Sequence, residues 1–360
     1  MKNLIIFYPS YERGGATKIL INLIKYFSKK NINIYLIINN FEHKFKNLKT
    51  IKLNSNIRLY KSRLLSSLLG SWELIKLINT LDKSDTKILS MQSNFFAVLI
   101  AFFKNIKIAV RVSEDPCGAT RYADEKIFSY FILFSKFITY NLANYVIVNA
   151  QKSYNCVKKL VYNKKKLKIL YNPSLNIIHK FKKKKNNKIF LSVGRFCKQK
   201  NQKLLINAFI RFNKNKNYKL IICGDGPDKK DIFSYIKEKK LEKSIILKNW
   251  RSDLRKNYKN SSVFILTSLY EGMPNVLIEA LNYNLPCVST NVSGVTDLLL
   301  KGKGGIILKN FSPYELENKL NKITNNYKIY LNKTKNAKSN LKRFDINVAS
   351  NEYLKLLEKI

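Results

Sequence analysis

Two glutamates stand close together in a chain that is poor in acids. Glu271 and Glu279 lie in "YEGMPNVLIEALNYNLPCVST" with seven residues between them. Carboxylates are rarely buried without partners, and Glu279 is flanked by Leu277 and Ile278. Gly272 lets the backbone turn sharply after the strand-like "VFILTS", and Pro274 followed by Asn275 suits the opening of a helix. The unpaired N–H groups of such a helix start can meet a phosphate. Glu279 then falls one turn below Asn275 on the same face. A loop carboxylate and one from the first turns of a helix can accept hydrogen bonds from two hydroxyls of one sugar-bearing ligand. Two unrelated surface acids are the plainer reading; the apolar flanks of Glu279 and the scarcity of acids weaken it.

Other strand-end loops carry matching chemistry. "VGRFCKQKN" puts Arg195 directly after a strand and Lys200 five residues later at a helix entrance. A helix N-terminus favours anions, so two cations there read as a diphosphate clamp or as an exposed basic loop. "CGDGP" (residues 223–227) reads as a tight turn before it reads as a phosphate loop. In the first half, "SYERGGATKIL" sets Gly14 and Gly15 between a strand and its helix, where bare N–H groups can approach an oxyanion or simply turn. "VRVSEDP" is a further strand-end loop with Arg111, Ser113 and Glu114.

The elements that must position these loops alternate along the whole chain. "LIIFYP", the helical "GATKILINLIKYFSKK" and "INIYLIIN" form a β-α-β opening that implies a parallel sheet. The alternation restarts at "KIFLSVGRF", after a stretch of ten lysines and no acid between Val161 and Lys188. Two tandem Rossmann-like α/β domains facing a central cleft follow, with ligands expected at strand carboxyl ends. The expected bounds are a first domain at 1–172, a Lys-rich linker at 173–188 and a second domain at 189–344. A terminal amphipathic helix within 345–360 could pack back on the first domain. "IFSYFILFSKFITYNLANYVIV" reads as a buried or membrane-surface helix to about Asn141, then a short strand. "MKNLIIFYPS" reads as a first strand and not a signal peptide.

The composition bounds the function less tightly. The formal net charge of +44 in 360 residues fits either lysine drift in an AT-rich genome or contact with an anionic partner. Drift predicts basicity spread over both domains; docking predicts a basic apolar face on the first. The lysines of "IKYFSKK" and "KNLKTIKL", taken as helical, belong to the docking reading. The lysine tail lacks the aromatic or arginine interleaving of a nucleic-acid segment, so no nucleic-acid partner is expected. The five cysteines, odd in number and without C-x-x-C spacing, read as reduced core residues with no disulfide framework and no zinc site.

Taken together these motifs resemble the family 4 retaining glycosyltransferases of the GT-B fold. The resemblance runs through "RGGATKIL", "RVSE", "YNP", "VGRFCKQKN", "GDGP", "EGMPNVLIEAL" and "STNVSGVTDLL" followed by "GGIIL". It implies that the first domain binds an acceptor and the second a nucleotide sugar. Arg195 and Lys200 would hold the donor diphosphate, Glu271 would face the donor sugar and Glu279 the ribose hydroxyls. Gly272, Met273, Pro274, Asn275 and Val276 would contact sugar and phosphates, and Gly15 would lie across the cleft from the diphosphate. Glu114 matches an acceptor-side or sugar-side position, Arg111 is expected on the acceptor side, and Asp297 stands where relatives commonly carry glutamate. With no D-x-D motif in the chain, no metal and no cofactor are expected.

The implied reaction moves a hexose or N-acetylhexosamine from a nucleoside diphosphate sugar, UDP-sugar favoured, with retention. The implied acceptor is a lipid-linked glycan in bacterial cell-surface polysaccharide or lipopolysaccharide assembly. That places the protein in the cytoplasm, peripheral on the inner face of an anionic membrane. A sugar-nucleotide epimerase of related fold would need further carboxylates and histidines in the cleft. His43 and His179 are the only histidines and neither sits in a motif. A basic nucleic-acid-binding protein is the other alternative.

Overall fold

The computed structural model describes residues 1–11, 14–53, 62–176, 187–250 and 253–360. The chain divides into two compact units, Met1–Asn176 with Arg343–Ile360 and Ile177–Lys342. Most of the lysine-rich stretch expected as a linker, including His179, lies outside the described residues.

In chain order, the first unit contains β1 (Asn3–Phe7), α1 (Gly15–Phe27), β2 (Asn33–Ile38), β3 (Leu48–Lys52), α2 (Arg63–Thr80), β4 (Thr86–Ser90) and α3 (Asn94–Phe103). It continues through β5 (Lys107–Arg111), α4 (Pro116–Arg121), α5 (Lys126–Leu142), β6 (Tyr145–Val148), α6 (Gln151–Val157) and β7 (Leu167–Ile169). The second unit contains β8 (Ile189–Val193), α7 (Gln202–Asn213), β9 (Lys219–Cys223), α8 (Lys229–Glu238), β10 (Ile245–Lys248), α9 (Arg255–Asn260) and β11 (Val263–Leu266). After these come α10 (Asn275–Asn282), β12 (Cys287–Ser289), α11 (Val295–Leu298), β13 (Ile306–Ile307), α12 (Pro313–Asn325) and α13 (Tyr327–Ser339). The last helix, α14 (Ile346–Glu358), belongs to the first unit.

Among the described residues each unit has one parallel sheet, ordered β3-β2-β1-β4-β5-β6-β7 and β10-β9-β8-β11-β12-β13. Strands such as "LIIF" and "VFIL" are apolar on both faces because helices cover both. In the first sheet Ile5, Phe7, Ile88 and Val110 point to the layer of α2, α3, α5 and α6. Leu4, Ile6, Leu36 and Ile147 point to the opposite layer, where Leu20, Leu23 and Ile24 of α1 meet Tyr353 and Leu357 of α14. Asp345 starts α14 by accepting from the Asn347 and Val348 N–H groups.

Strand order reverses between β1 and β4 in the first sheet and between β8 and β11 in the second. At such a point the flanking loops diverge to opposite faces and leave a crevice at the strand carboxyl ends. In the second unit the loops that border it are those carrying Arg195 and Lys200 and those carrying Glu271.

Two expectations are corrected, and one open question about the charge is answered. "KNLKTIKL" is not helical: Leu48–Lys52 is the edge strand β3, with Lys49 and Lys52 among Leu48, Thr50 and Ile51. Cys117 and Cys156 are joined by a disulfide, with Cα atoms 6.1 Å apart, because α4 packs on α6 across a sequence separation of 39. Cys197, Cys223 and Cys287 are buried thiols. Basicity is not concentrated in the first unit, which holds 32 Lys and Arg against 12 Asp and Glu, while the second holds 35 against 11. The even spread is what compositional drift predicts.

Candidate active site

Backbone contacts weld the loops at the reversal point of the second sheet. The Gly194 N–H donates to the Cys223 carbonyl at 3.0 Å and the Phe196 N–H to the Asp225 carbonyl at 2.9 Å. A Cβ on Gly224 would stand 1.9 Å from the Gly194 carbonyl oxygen, so no other residue fits without moving that loop. The "CGDGP" turn therefore acts as a buttress for the β8 loop.

That loop ends in a 3-10 turn, Lys198–Lys200, stitched to the segment after β11. The Leu269 N–H donates to the Gln199 carbonyl at 2.8 Å, Gln199 Nε2 to the Tyr270 carbonyl at 2.8 Å, and Thr267 Oγ1 to the Lys200 carbonyl at 3.0 Å. These bonds bring the Lys200 ammonium against Glu271, with which it forms an ion pair. The Ser268 hydroxyl donates to the same carboxylate oxygen, Oε1, at 2.7 Å. Glu271 is only 9% exposed, so its charge is held by a cation and a hydroxyl instead of by water. Arg195 is exposed on the same loop, and its carbonyl accepts from Gln202 Nε2 at 2.9 Å.

Glu279 has its own support. The fully enclosed Tyr258 of α9 donates its hydroxyl to Glu279 Oε2 at 2.9 Å. Its ring stacks on Tyr283, with centroids 5.4 Å apart and planes within 2°. Burial first, and then the Glu279 charge, hold the Tyr258 phenol well above its ordinary pKa, so it stays a neutral donor. Pro274 precedes the first turn of α10, with Gly272, Met273 and Pro274 buried and Asn275 and Val276 half-buried. Gly294, at φ +78°, brings the loop after β12 against this turn: a Cβ there would lie 2.8 Å from the Gly272 carbonyl oxygen.

The structure thus gathers Arg195, Lys200, Glu271 and Glu279 on neighbouring loops and helices of one unit. Ser268, Gln199 and Tyr258 were missed by sequence reasoning. Ser268, three residues before Glu271 in "SLYEG", was a findable signal; Tyr258 acts across 21 residues and was not.

The remaining expected residues lie in the first unit. Gly15 is the first residue of α1. Glu114 is exposed and pairs with Lys136 of α5 at 3.0 Å. Arg111 is buried. It is 3% exposed, and its guanidinium donates to Tyr353 Oη at 3.1 Å, Ser113 Oγ at 2.6 Å and Asn172 Oδ1 at 2.7 Å. It ties β5 to α14 and to the "YNP" segment, a structural role that its strand-end position did not suggest. No metal-ligand cluster involves these residues; Asp115, Cys117 and Cys156 are the one close group of such side chains among the described residues. Two of its three members are spent on the disulfide, and burial raises the Asp115 carboxyl pKa.

Residues 174–340 match the family described as glycosyl transferases group 1. An uncharacterized glycosyltransferase of Methanocaldococcus jannaschii is 30% identical over 58% of this chain and 57% of its own. The Campylobacter jejuni N-acetylgalactosamine-N,N'-diacetylbacillosaminyl-diphospho-undecaprenol 4-alpha-N-acetylgalactosaminyltransferase is 26% identical over 86% of both chains. Against the archaeal relative and two others, the chain spans only about half the relative's own length. The crystal structure of Anabaena HepE in complex with UDP and glucose superposes over 100% of both chains, with a TM-score of 0.81 at 16% identity. Residues 174–340 thus match the model of the glycosyl transferases group 1 family, in a chain with the two-Rossmann-domain GT-B fold.

Proposed function

We propose that the protein is a hexosyltransferase. It moves a hexose or N-acetylhexosamine from a nucleoside diphosphate sugar, with UDP as the favoured carrier, to a glycan acceptor. The observation that carries this reading is the Lys200–Glu271–Ser268 constellation at the strand reversal point, with the Tyr258-held Glu279 on the helix that follows. Lys200 and the exposed Arg195 are the groups to neutralise a diphosphate. Its arrival gives Lys200 a second anion, so the Glu271 carboxylate is released in part toward the sugar. Glu279 takes ribose hydroxyls. The bond from the anomeric carbon to the diphosphate oxygen breaks through a loose transition state. The acceptor oxygen bonds to the same face, with retention, and its proton leaves with the diphosphate. Fixed cations and the α10 start stabilise the developing charge without a metal.

The Campylobacter relative, whose name specifies a diphospho-undecaprenol substrate, supports a lipid-linked acceptor and a place in cell-surface glycan assembly. The Anabaena complex with UDP and glucose supports a uridine carrier. A lipid-linked acceptor in turn favours work at the cytoplasmic face of an anionic membrane. Calorimetry with UDP, GDP and dTDP, followed by a screen of radiolabelled nucleotide sugars against lipid-linked and free acceptors, tests the reading. Absence of binding to every nucleoside diphosphate would overturn it.

A further inference from the structure

Three neighbouring helices of the first unit are inside out on their outer side. In the first half of α2, Ser66, Ser67 and Gly70 are buried while Leu64, Leu68 and Trp72, spaced by four along one face, are exposed. In the first half of α5 the buried residue is Ser129, and six large apolar side chains between Ile127 and Phe134 are exposed, Ile127 by 77% and Phe131 by 68%. Between them α3 ends on Phe102 and Phe103, the latter 79% exposed. These helices lie side by side, α2 on α3 and α3 on α5, in the layer that covers one face of the sheet. Eleven of the eighteen exposed large hydrophobics among the described residues fall on them. A helix that faces water shows the opposite order, serines out and apolar residues in, and so large an apolar patch marks an interaction surface.

We propose that this face of α2, α3 and α5 docks on an anionic lipid bilayer. Two observations select that occupant. The patch is rich in phenylalanine, with Tyr130 and Trp72 beside it, which suits the headgroup boundary. The chain carries +44, which attracts an anionic surface and opposes a second copy of itself. Residues 62–142 contribute ten Lys and Arg against seven Asp and Glu, so charge supplies long-range attraction and the apolar face sets the orientation. Arg63, Lys76, Arg121 and Lys126 border the patch; Asp124 and Glu125, just ahead of α5, and Glu73, which adjoins Trp72 and pairs with Lys76, are acids beside it. The Glu114–Lys136 ion pair ties the loop after β5 to the docking helix, so docking holds that loop near the lipid surface. This last step rests on the lipid-linked acceptor proposed above; the docking face itself does not.

The test compares the full chain with the variant F128S/F131S/F134S, and with L68S/W72S, in sedimentation with vesicles of phosphatidylcholine alone or mixed with phosphatidylglycerol. All five side chains are exposed, so the variants keep the core. The wild type is expected to pellet with the mixed vesicles. The triple variant is expected to lose at least about tenfold in the bound fraction, with UDP affinity unchanged by calorimetry. Equal pelleting of wild type and triple variant, or no pelleting of the wild type, overturns the docking face. So does a wild-type dimer that the triple variant dissolves, because the face would then bind a second copy. A wild type that pellets as expected but binds no nucleotide overturns the proposed function and leaves the docking face standing.

Discussion

Replacing Tyr258 with phenylalanine removes one oxygen from the site and leaves the packing in place. The ring keeps its stack on Tyr283 and its contact with Phe264 at 6.2 Å, so no cavity opens. What is lost is a hydrogen bond of 2.9 Å to Glu279 Oε2, made by a buried donor to a charged acceptor. Such a bond is worth about 1.5–3 kcal/mol, and that loss falls on folding stability, since the bond exists before any ligand arrives. At roughly 2–4 °C per kcal/mol for a domain of this size, the melting temperature should drop by several degrees. Binding loses only the fixed orientation of the carboxylate, on the order of 1 kcal/mol or about fivefold in Kd. The assay is calorimetry with UDP and with its 2′,3′-dideoxyribose analogue. Tyr258→Phe should weaken UDP several-fold and hardly affect the analogue, which has no ribose hydroxyls for Glu279. An unchanged ratio of the two affinities would refute the assignment of Glu279 to ribose, even if the melting temperature fell as expected.

Arg195→Ala and Lys200→Ala should each raise the Kd for UDP by about tenfold or more, measured by calorimetry, since a charge-assisted phosphate contact is worth about 1.5–3 kcal/mol. The two should differ in stability: Arg195 is exposed, whereas Lys200→Ala leaves the buried Glu271 without its cation and should lower the melting temperature. Transfer activity should persist in excess EDTA; complete loss restored by manganese would count against charge neutralisation by side chains alone. Gly224→Ala should weaken UDP binding and lower the melting temperature, because its Cβ must displace the Gly194 carbonyl now 1.9 Å away. Arg111→Ala should destabilise the first unit by about 3 kcal/mol or more through loss of three hydrogen bonds, two of them buried, with UDP affinity unchanged.

The strands and the loops that end them were legible because parallel sheets write themselves as short apolar runs at regular intervals. "KIFLSV", "YKLIIC" and "SVFILTS" each became a strand, and the loop after each carries the residues read as chemistry. The short edge strand β3 was not legible, since Lys46, Lys49 and Lys52 recur every three residues, as they would along one face of a solvated helix. Long-range partnerships were illegible for a different reason. Arg111 reads as a strand-end cation until Tyr353, 242 residues later, folds back to bind it. The Cys117–Cys156 bond depends on two short helices meeting, and spacing says nothing of that. In the site, residue types at strand ends were readable, but the Lys200–Glu271 pair depends on three loop hydrogen bonds that no motif encodes.

The fate of the charge carries the same lesson further. A net charge of +44 invites an electrostatic account of any partner, yet lysine is denser in the second unit, with 31 in 166 residues, than in the first, with 26 in 194. Of the lysines of "IKYFSKK", Lys25 lies in α1 and Lys29 and Lys30 in the turn that follows it, and α1 covers the opposite face of the sheet from α2, α3 and α5. A uniform charge pulls toward an anionic surface but cannot choose which side arrives first. The side is chosen by where burial has been inverted, with Ser66, Ser67 and Ser129 turned inward and phenylalanines turned out. Neutralising surface lysines at random should therefore slow or weaken vesicle binding in proportion to the charge removed, whereas three serines on α5 should abolish it with the net charge untouched.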